Sequence, residues 1–453
     1  MSASSQRHGS AVQAVEHNLA QIAAHDDTLK AMITVMGDEA FEAAEWCDQA
    51  AEEGRWLGVL HGMTIAVKDN IDTAGVRTTS GSAFFADHVP THDATVVKKL
   101  KDAGAIIIGK ASLHEFAFGG TNQNVHYGSC RNPWNTAHLP GGSSGGSGVV
   151  VAAEMATAAL GTDTGGSIRM PSSINGVVGI RPTMGRVSNY GSTQISWSLD
   201  TIGPMAYRAE DVARILAVIE GYDVNDPSSI NHPGDDLLRG LHDGIEGLRV
   251  GVPTDFFFAD VDPKIETLVR DAITMLTKLG ADVVEITIPG AEEAHEHMRH
   301  IARGDGAAFH AERIATEPEK FGPEELERLM LGVNATGVEY AQSMEWMRRW
   351  RRQLAELFKT IDIIASPTVP IVTPKVDGIA SQMISTTHRL TEKTYAYPMG
   401  GNPGVSVPVG FVDGLPVGMQ LGGAWWRDGM LLRAAVAYQS VTDWHTHRPA
   451  LLG

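Results

Sequence analysis

The chain reads as an α/β protein with one large domain, a mainly parallel β-sheet carrying helices on both faces. Two observations point there. From about residue 60, short apolar runs alternate with helical stretches, the pattern of strand–helix–strand units. No low-complexity linker or internal repeat divides the 453 residues, and 43% hydrophobic content can fill a large core. The expected organisation is N-terminal helices over 1–58, a central core over 60–210, a variable helical section over 211–360 and a β-rich return over 361–453.

The elements follow in order. Residues 10 to 54 place Val12, Val15, Leu19 and Ile22 at helical spacing, which predicts two or three helices. Met63 to Val67 reads as a strand, Ala94 to Ala103 as a helix and Ala105 to Ile108 as a strand. A small-residue helix begins near Val149 to Ala153. In the charged middle section, Leu248–Val252 and Val283–Ile288 read as strands, and Pro323–Leu331 and Tyr340–Phe358 as polar helices. Ile361–Ala365, Val405–Val407 and Val417–Leu421 read as strands, with turns at Gly401-Asn402-Pro403-Gly404 and Asp413-Gly414.

Composition narrows the function. A net charge of −18, from 36 Lys+Arg against 54 Asp+Glu, argues against a nucleic-acid partner, which needs a basic footprint. Cys47 and Cys130 are too few for a secreted disulfide framework. The polar start at Met1–Ser10 has no signal-peptide core, and no run of apolar residues is long enough for a membrane span. A cytoplasmic location is expected.

The chemistry concentrates in two glycine-serine clusters, Gly141-Gly142-Ser143-Ser144-Gly145-Gly146-Ser147-Gly148 and Gly161-Thr162-Asp163-Thr164-Gly165-Gly166-Ser167, with Lys68 upstream in Ile65-Ala66-Val67-Lys68. Glycine lets backbone come close to a ligand, and serine brings a latent nucleophile. A run of glycines ending in serine suits N–H groups gathered around an oxyanion. A lysine at the end of a buried strand can supply the base. These residues suit a serine hydrolase without a catalytic histidine.

Other motifs fit less well. Gly104 to Lys110 has P-loop spacing, but Ala111 replaces the magnesium-binding Ser or Thr. Gly141-Gly142-Ser143-Ser144-Gly145 matches a nucleophile elbow, but Arg131 to Thr136 before it reads as loop where a strand is required. His295, His297 and His300 lack the H-E-x-x-H spacing of a metal site and read as a solvated helix face. No Ser-x-x-Lys occurs. Cys130 with His126 nearby reads as a buried thiol.

The stretch from about 60 to 210 resembles the amidase signature family. The resemblance rests on the two clusters, the Lys68 strand, Ile168-Arg169, Gly176 to Thr183 and Leu199 to Met205, and extends to Gly404–Pro408 and Leu415–Gln420. It implies a twisted, mostly parallel mixed β-sheet flanked by α-helices. It also implies a Ser-Ser-Lys triad: Ser167 as nucleophile, Ser143 as relay and Lys68 as base, with an acyl-enzyme intermediate. A free lysine titrates near 10.4 and is no base at neutral pH, so burial must leave Lys68 neutral.

The resemblance further implies an oxyanion hole from the backbone N–H groups of Thr164, Gly165, Gly166 and Ser167, and a cis Gly142–Ser143 peptide. Asp163 and Arg169 would form a structural ion pair, Ser144 would be a supporting hydrogen-bond partner, and Arg131 and Arg181 would tie loops together. Ser147 sits where a hydroxyl can cap the next helix.

The expected substrate is a small carboxamide with an aryl or apolar acyl group, or a ureide. Tyr127, Tyr190 and Trp197 are candidate pocket walls, equally suited to core packing, with the 295–350 helices more remote candidates. No cofactor, metal or membrane partner is expected, and a homodimer is the common assembly among relatives. The alternative is the catalytic A-type subunit of a multi-subunit glutamine-dependent amidotransferase. Met170 stands where that subunit often carries Gln, which favours a freestanding amidase.

Overall fold

In a computed structural model, which describes residues 9–377 and 382–452, the N-terminal stretch forms helices Ala11–Leu29 and Gly37–Glu52. Between them lies a strand that the helical periodicity hides, β1 (Met32–Val35). Four residues are too few to show a period against the surrounding helices. β1 pairs antiparallel with β3 (Ile106–Ala111) and fastens the N-terminal helices to the edge of the sheet.

Apart from a small separate hairpin of Gln123–Asn124 and Gly128–Ser129, the remaining strands are β2 (Thr64–Lys68), β4 (Ala158–Asp163), β5 (Val178–Arg181), β6 (Thr201–Ala206), β7 (Arg249–Pro253), β8 (Asp282–Ile286), β9 (Ile363–Pro367), β10 (Gly404–Val412) and β11 (Leu415–Gly423). They form one eleven-stranded mixed sheet in the order β1-β3-β2-β4-β6-β5-β10-β11-β9-β7-β8. Parallel pairing joins β3, β2 and β4 in one block and β9, β7 and β8 in another. Antiparallel pairs fill the centre, where the β10–β11 hairpin links β5 to β9. The hairpin turns at Asp413 and Gly414, both at positive φ (52° and 81°), as a two-residue turn of matching twist requires.

Burial follows the pleat. Ile65 and Val67 of β2 enter one core and Ala66 the other, while Ile107 of β3 opposes Ile106 and Ile108. Strands covered on both faces are apolar throughout, which is why β2 and β3 read as unbroken runs. Lys110, the lysine of the P-loop-like run, is buried on β3 and donates to the Ile71 carbonyl (2.6 Å) and Thr78 Oγ1 (2.7 Å). Cys47 and Cys130 are both buried free thiols. Among the described residues no helix is long and apolar enough to cross a membrane.

The tail of the chain is locked to the central core by a buried carboxylate. Asp428 accepts from the Thr183 N–H (2.8 Å), Thr183 Oγ1 (2.7 Å) and Arg186 Nη1 (2.9 Å). Arg186 keeps two further carboxylates, Glu220 (2.8 Å) and Asp235 (2.9 Å), so removing Asp428 chiefly strands the buried N–H and hydroxyl of Thr183. Asp428→Ala is expected to lower unfolding free energy by about 2–4 kcal/mol in urea titrations; a loss below about 1 kcal/mol, the range of an exposed pair, would contradict this role.

Candidate active site

Lys68 and Asp163 are the last residues of the adjacent parallel strands β2 and β4, so both emerge at the same carboxyl edge, where α/β sheets place their ligands. Lys68 is fully buried. Its Nζ lies 2.8 Å from Ser143 Oγ and 2.6 Å from Thr162 Oγ1. Burial brings its pKa down to about 7, against the opposing pull of Asp200 and Asp163. The Gly142–Ser143 peptide is cis.

Asp163 organises the second cluster. Its carboxylate accepts from Arg169 Nε and Nη2 (both 3.0 Å), the Gly166 N–H (2.8 Å), the Ile168 N–H (3.2 Å) and Arg181 Nη1 (3.3 Å). Burial alone would raise its pKa, but the Arg169 and Arg181 charges outweigh that and hold it at about 2. Arg181 also donates to the Leu199 carbonyl (2.7 Å), so it does tie two loops together.

The Gly166 N–H, expected at the oxyanion hole, is thus donated to Asp163. Thr164, Gly165 and Ser167 have N–H groups without an intramolecular partner among the described residues. Side chains cannot replace the glycines of this loop. A Cβ at Gly166 would sit 2.2 Å from Thr394 Oγ1, at φ 136°, and one at Gly165 would sit 2.4 Å from Tyr395 Cε1.

Ser144 bridges the two clusters. Its N–H donates to the Ser167 carbonyl (3.3 Å), its hydroxyl to the Thr162 carbonyl (3.1 Å), and it accepts from the Thr162 N–H (3.2 Å). Ser147 does not cap its helix. The hydroxyl donates across to the Leu160 carbonyl (2.9 Å) and fastens the Gly145–Ala152 helix to β4.

Ser167 lines a cavity of about 520 Å³, counting its mouth, together with Thr164 and Gly165. The expected aromatic walls are not there. Tyr127 donates its hydroxyl to the Ser82 carbonyl (3.3 Å) and lies near Arg77, while Tyr190 and Trp197 are each 48% exposed. None of the three lines the cavity, because the turns that carry them run over the surface. Phe118, Ile195, Met298 and Tyr395 supply the apolar wall instead.

Two residues escaped sequence reasoning, and a third group lies on the 295–350 helices, which were only remote candidates. Thr162 holds Lys68, although it stands inside the second glycine cluster. Asp200, buried beside Lys68, accepts from the Ile195 N–H (2.8 Å) and Ser196 N–H (3.2 Å), and burial lifts its pKa to about 6. Arg299 and Arg303 reach the cavity from helix Ala294–Phe309, with Arg328 from helix Pro323–Val333. The face carrying His295, Met298, Arg299, Ala302 and Arg303 has helical spacing, and that signal could have found it. His295 is not solvated as expected; it stacks on Tyr395.

Burying Lys68 opposes folding. A lysine whose folded-state pKa lies below its unfolded value of 10.5 costs stability in full below about pH 7, and the cost vanishes as pH rises towards 10.5. Lys68→Met is therefore expected to raise unfolding free energy at pH 6 by about 2–4 kcal/mol, net of two hydroxyls losing their partner, and by less at each higher pH. Equal effects at pH 6 and pH 10 in chemical denaturation would contradict this.

Against known proteins, the family model described as Amidase matches residues 13–432. The chain is 40% identical to the A subunit of glutamyl-tRNA(Gln) amidotransferase from Roseiflexus sp. (strain RS-1), over 97% of this chain and 95% of that one. Among solved structures, a vestigial protein complex described as revealing the evolutionary origins of an s-triazine catabolic enzyme is 33% identical. It superposes with a TM-score of 0.90 over 96% of both chains. The native peptide amidase of Stenotrophomonas maltophilia is 31% identical, with a TM-score of 0.83 over 97% of this chain and 95% of that one. The likeness to the Roseiflexus protein favours the amidotransferase alternative over the freestanding reading drawn from Met170. With this coverage and this fold, the chain belongs to the amidase signature family and is an amidase, a hydrolase of carbon–nitrogen bonds.

Proposed function

We propose that this chain cleaves an amide C–N bond through an acyl-enzyme on Ser167, with Ser143 as proton relay and Lys68 as base. The observation that carries this reading is the 2.8 Å contact between a desolvated Lys68 Nζ and Ser143 Oγ, beside a cavity that Ser167 lines. Neutral Lys68 takes the Ser143 proton as Ser143 takes that of Ser167. Ser167 Oγ then forms a bond to the carbonyl carbon. The N–H groups of Thr164, Gly165 and Ser167 receive the developing oxyanion, each such donor contributing roughly 2.7–4 kcal/mol. The C–N bond breaks as Ser143 passes its proton to the leaving nitrogen and takes back the one held by Lys68, which is neutral again. Water, deprotonated by the same relay, attacks the acyl carbon, the bond to Ser167 Oγ breaks, and the relay returns the proton to Ser167 as the acid leaves.

Ser167→Ala is expected to abolish labelling by a serine-directed fluorophosphonate with the fold unchanged; continued labelling would put the nucleophile elsewhere. Because the base works unprotonated, kcat/KM should rise with pH through about 7. Lys68→Ala should cost about 10²–10⁴-fold at neutral pH and recover in part at high pH, where hydroxide replaces the base. A flat pH profile in the parent enzyme would exclude Lys68 as the titrating group.

The likeness to the glutamyl-tRNA(Gln) amidotransferase chain supports a second reading, in which this protein releases ammonia from glutamine within a larger hetero-complex. Native copurification separates the two. A stable hetero-complex whose glutamine-dependent activity needs the partners and ATP would favour the amidotransferase reading. Steady amide hydrolysis by the purified chain alone would favour a freestanding enzyme.

A further inference from the structure

The cavity beside Ser167 holds a cationic cluster with too little negative charge to answer it. Arg299, Arg303 and Arg328 line it together with His388. Arg328 is satisfied, since Glu324 Oε1 accepts from its Nε (3.1 Å) and Nη2 (2.6 Å), and Thr387 Oγ1 lies 3.0 Å away. Arg299 and Arg303 make no ion pair within 4.0 Å among the described residues, and the buried Nε of Arg299 has no hydrogen-bond partner. No Asp or Glu lines the cavity. In a chain with 54 acidic residues against 36 basic ones, two unanswered guanidiniums in one small cavity run against composition.

The surroundings supply one weak counter-charge, the exposed Glu327, which pulls on Arg303 without an ion pair between them. Glu324 is committed to Arg328, with His114 Nε2 3.5 Å from its other oxygen. Glu325 is buried with both oxygens unpartnered, and burial beside Glu115 pushes its carboxyl well above the usual range, towards the neutral form. His295 packs between Tyr395 (4.8 Å, stacked) and His388 (4.6 Å, edge-on). Burial and the neighbouring arginines pull both imidazoles down, to about 4 and about 3, so neither titrates near neutral pH. Burial, with Arg299 and Arg328 nearby, draws even Arg303 down to about 10. A half-buried guanidinium without a partner is costly, and a planar oxyanion relieves that cost with two parallel hydrogen bonds.

We propose that Arg299 and Arg303 bind a carboxylate of the substrate, so that the preferred substrate is a small amide or ureide carrying a carboxylate and no ammonium group. This rests on amide cleavage at Ser167. Phe118, Ile195, Met298 and Tyr395 offer apolar surface to the chain that joins the scissile carbonyl to the carboxylate. An α-amino-acid amide such as glutamine would bring an ammonium group into a cavity that offers it no carboxylate and two guanidiniums. Arg299 and Arg303 thus act as specificity-determining residues, distinct from the groups that move protons.

The test uses the full chain at constant ionic strength. Fluorophosphonate labelling of Ser167 is timed with succinamate, glutaramate, butyramide or glutamine as competitor, and kcat/KM is measured for each. The expected result is protection by the anionic amides and at least a tenfold preference for them over butyramide and glutamine. Arg299→Gln and Arg303→Gln should each cut that preference about tenfold, chiefly through KM, the scale of one charge-assisted hydrogen bond, with partial recovery in the Arg→Lys variants. Equal or better use of butyramide, a preference for glutamine, or a ratio unmoved by both Gln variants would overturn the proposal while leaving Ser167 as nucleophile. If Ser167 takes no label, the reading of the reaction fails, and the cavity is tested with succinate alone. A rise in Tm that Arg299→Gln abolishes would then sustain the carboxylate site, and no rise would overturn it.

Discussion

A lysine amine buried among hydroxyls, with no carboxylate in ion-pairing contact, is the condition on which the rest of the site depends. Water would keep Lys68 protonated, so β2 lies between β3 and β4 with both faces covered. An adjacent free carboxylate would hold the proton equally well. The fold prevents that by engaging each nearby acid otherwise. Asp163 is committed to Arg169 and Arg181, and Asp200 is bound by two backbone N–H groups and drawn towards neutrality by burial. What reaches Nζ is Ser143 and Thr162, two hydroxyls that satisfy the amine without fixing its charge.

The same acid that is kept from Lys68 shapes the loop that carries Ser167. Asp163 sits where β4 ends, and by accepting from the Gly166 and Ile168 N–H groups it folds the chain into a tight bend just before the Arg169–Asn175 helix. That bend leaves the N–H groups of Thr164, Gly165 and Ser167 without a partner of their own. Ser144, bonded to both Ser167 and Thr162, couples the two clusters. A displacement of either cluster would therefore disturb the lysine's hydroxyl partner and the nucleophile's backbone together.

How much of this the sequence discloses depends on where the determinants sit along the chain. That Lys68, Ser143, Ser167 and Asp163 gather at one sheet edge was legible because glycine spacing and strand ends are local features, and each residue lies within one. A large sheet with helices on both faces was legible from alternation and its mixed character from the family resemblance, whereas β1 was not, since four residues between two helices carry no period of their own. The pocket failed for a different reason. Aromatic residues near the clusters, Tyr127, Tyr190 and Trp197, were close in sequence but ride on surface turns. The residues that fill the role come from Phe118 and, more than a hundred positions on, from the 294–309 helix and from Tyr395. Only the folded sheet brings those segments to one edge; helical spacing marks the 294–309 face as amphipathic but does not by itself assign it to this cavity.

This division of labour limits what a likeness can transfer. The Roseiflexus amidotransferase chain at 40% identity and the peptide amidase at 31% share nearly the whole length of this chain, and the glycine-serine clusters lie inside the matched region. In the proposed reaction those clusters handle the reacting carbonyl and the leaving nitrogen, groups that every amide has. On the same proposal, selection among amides falls to what else faces the cavity, where Arg299, Arg303 and His388 stand with no acid among them. An enzyme that releases ammonia from glutamine must accommodate an α-ammonium group, and a cavity of uncompensated guanidiniums opposes it through the same Coulomb term that favours an anion. The name of a relative therefore carries over for the class of bond that is broken, whereas the proposed role of the cavity's charge is to choose which molecule presents that bond.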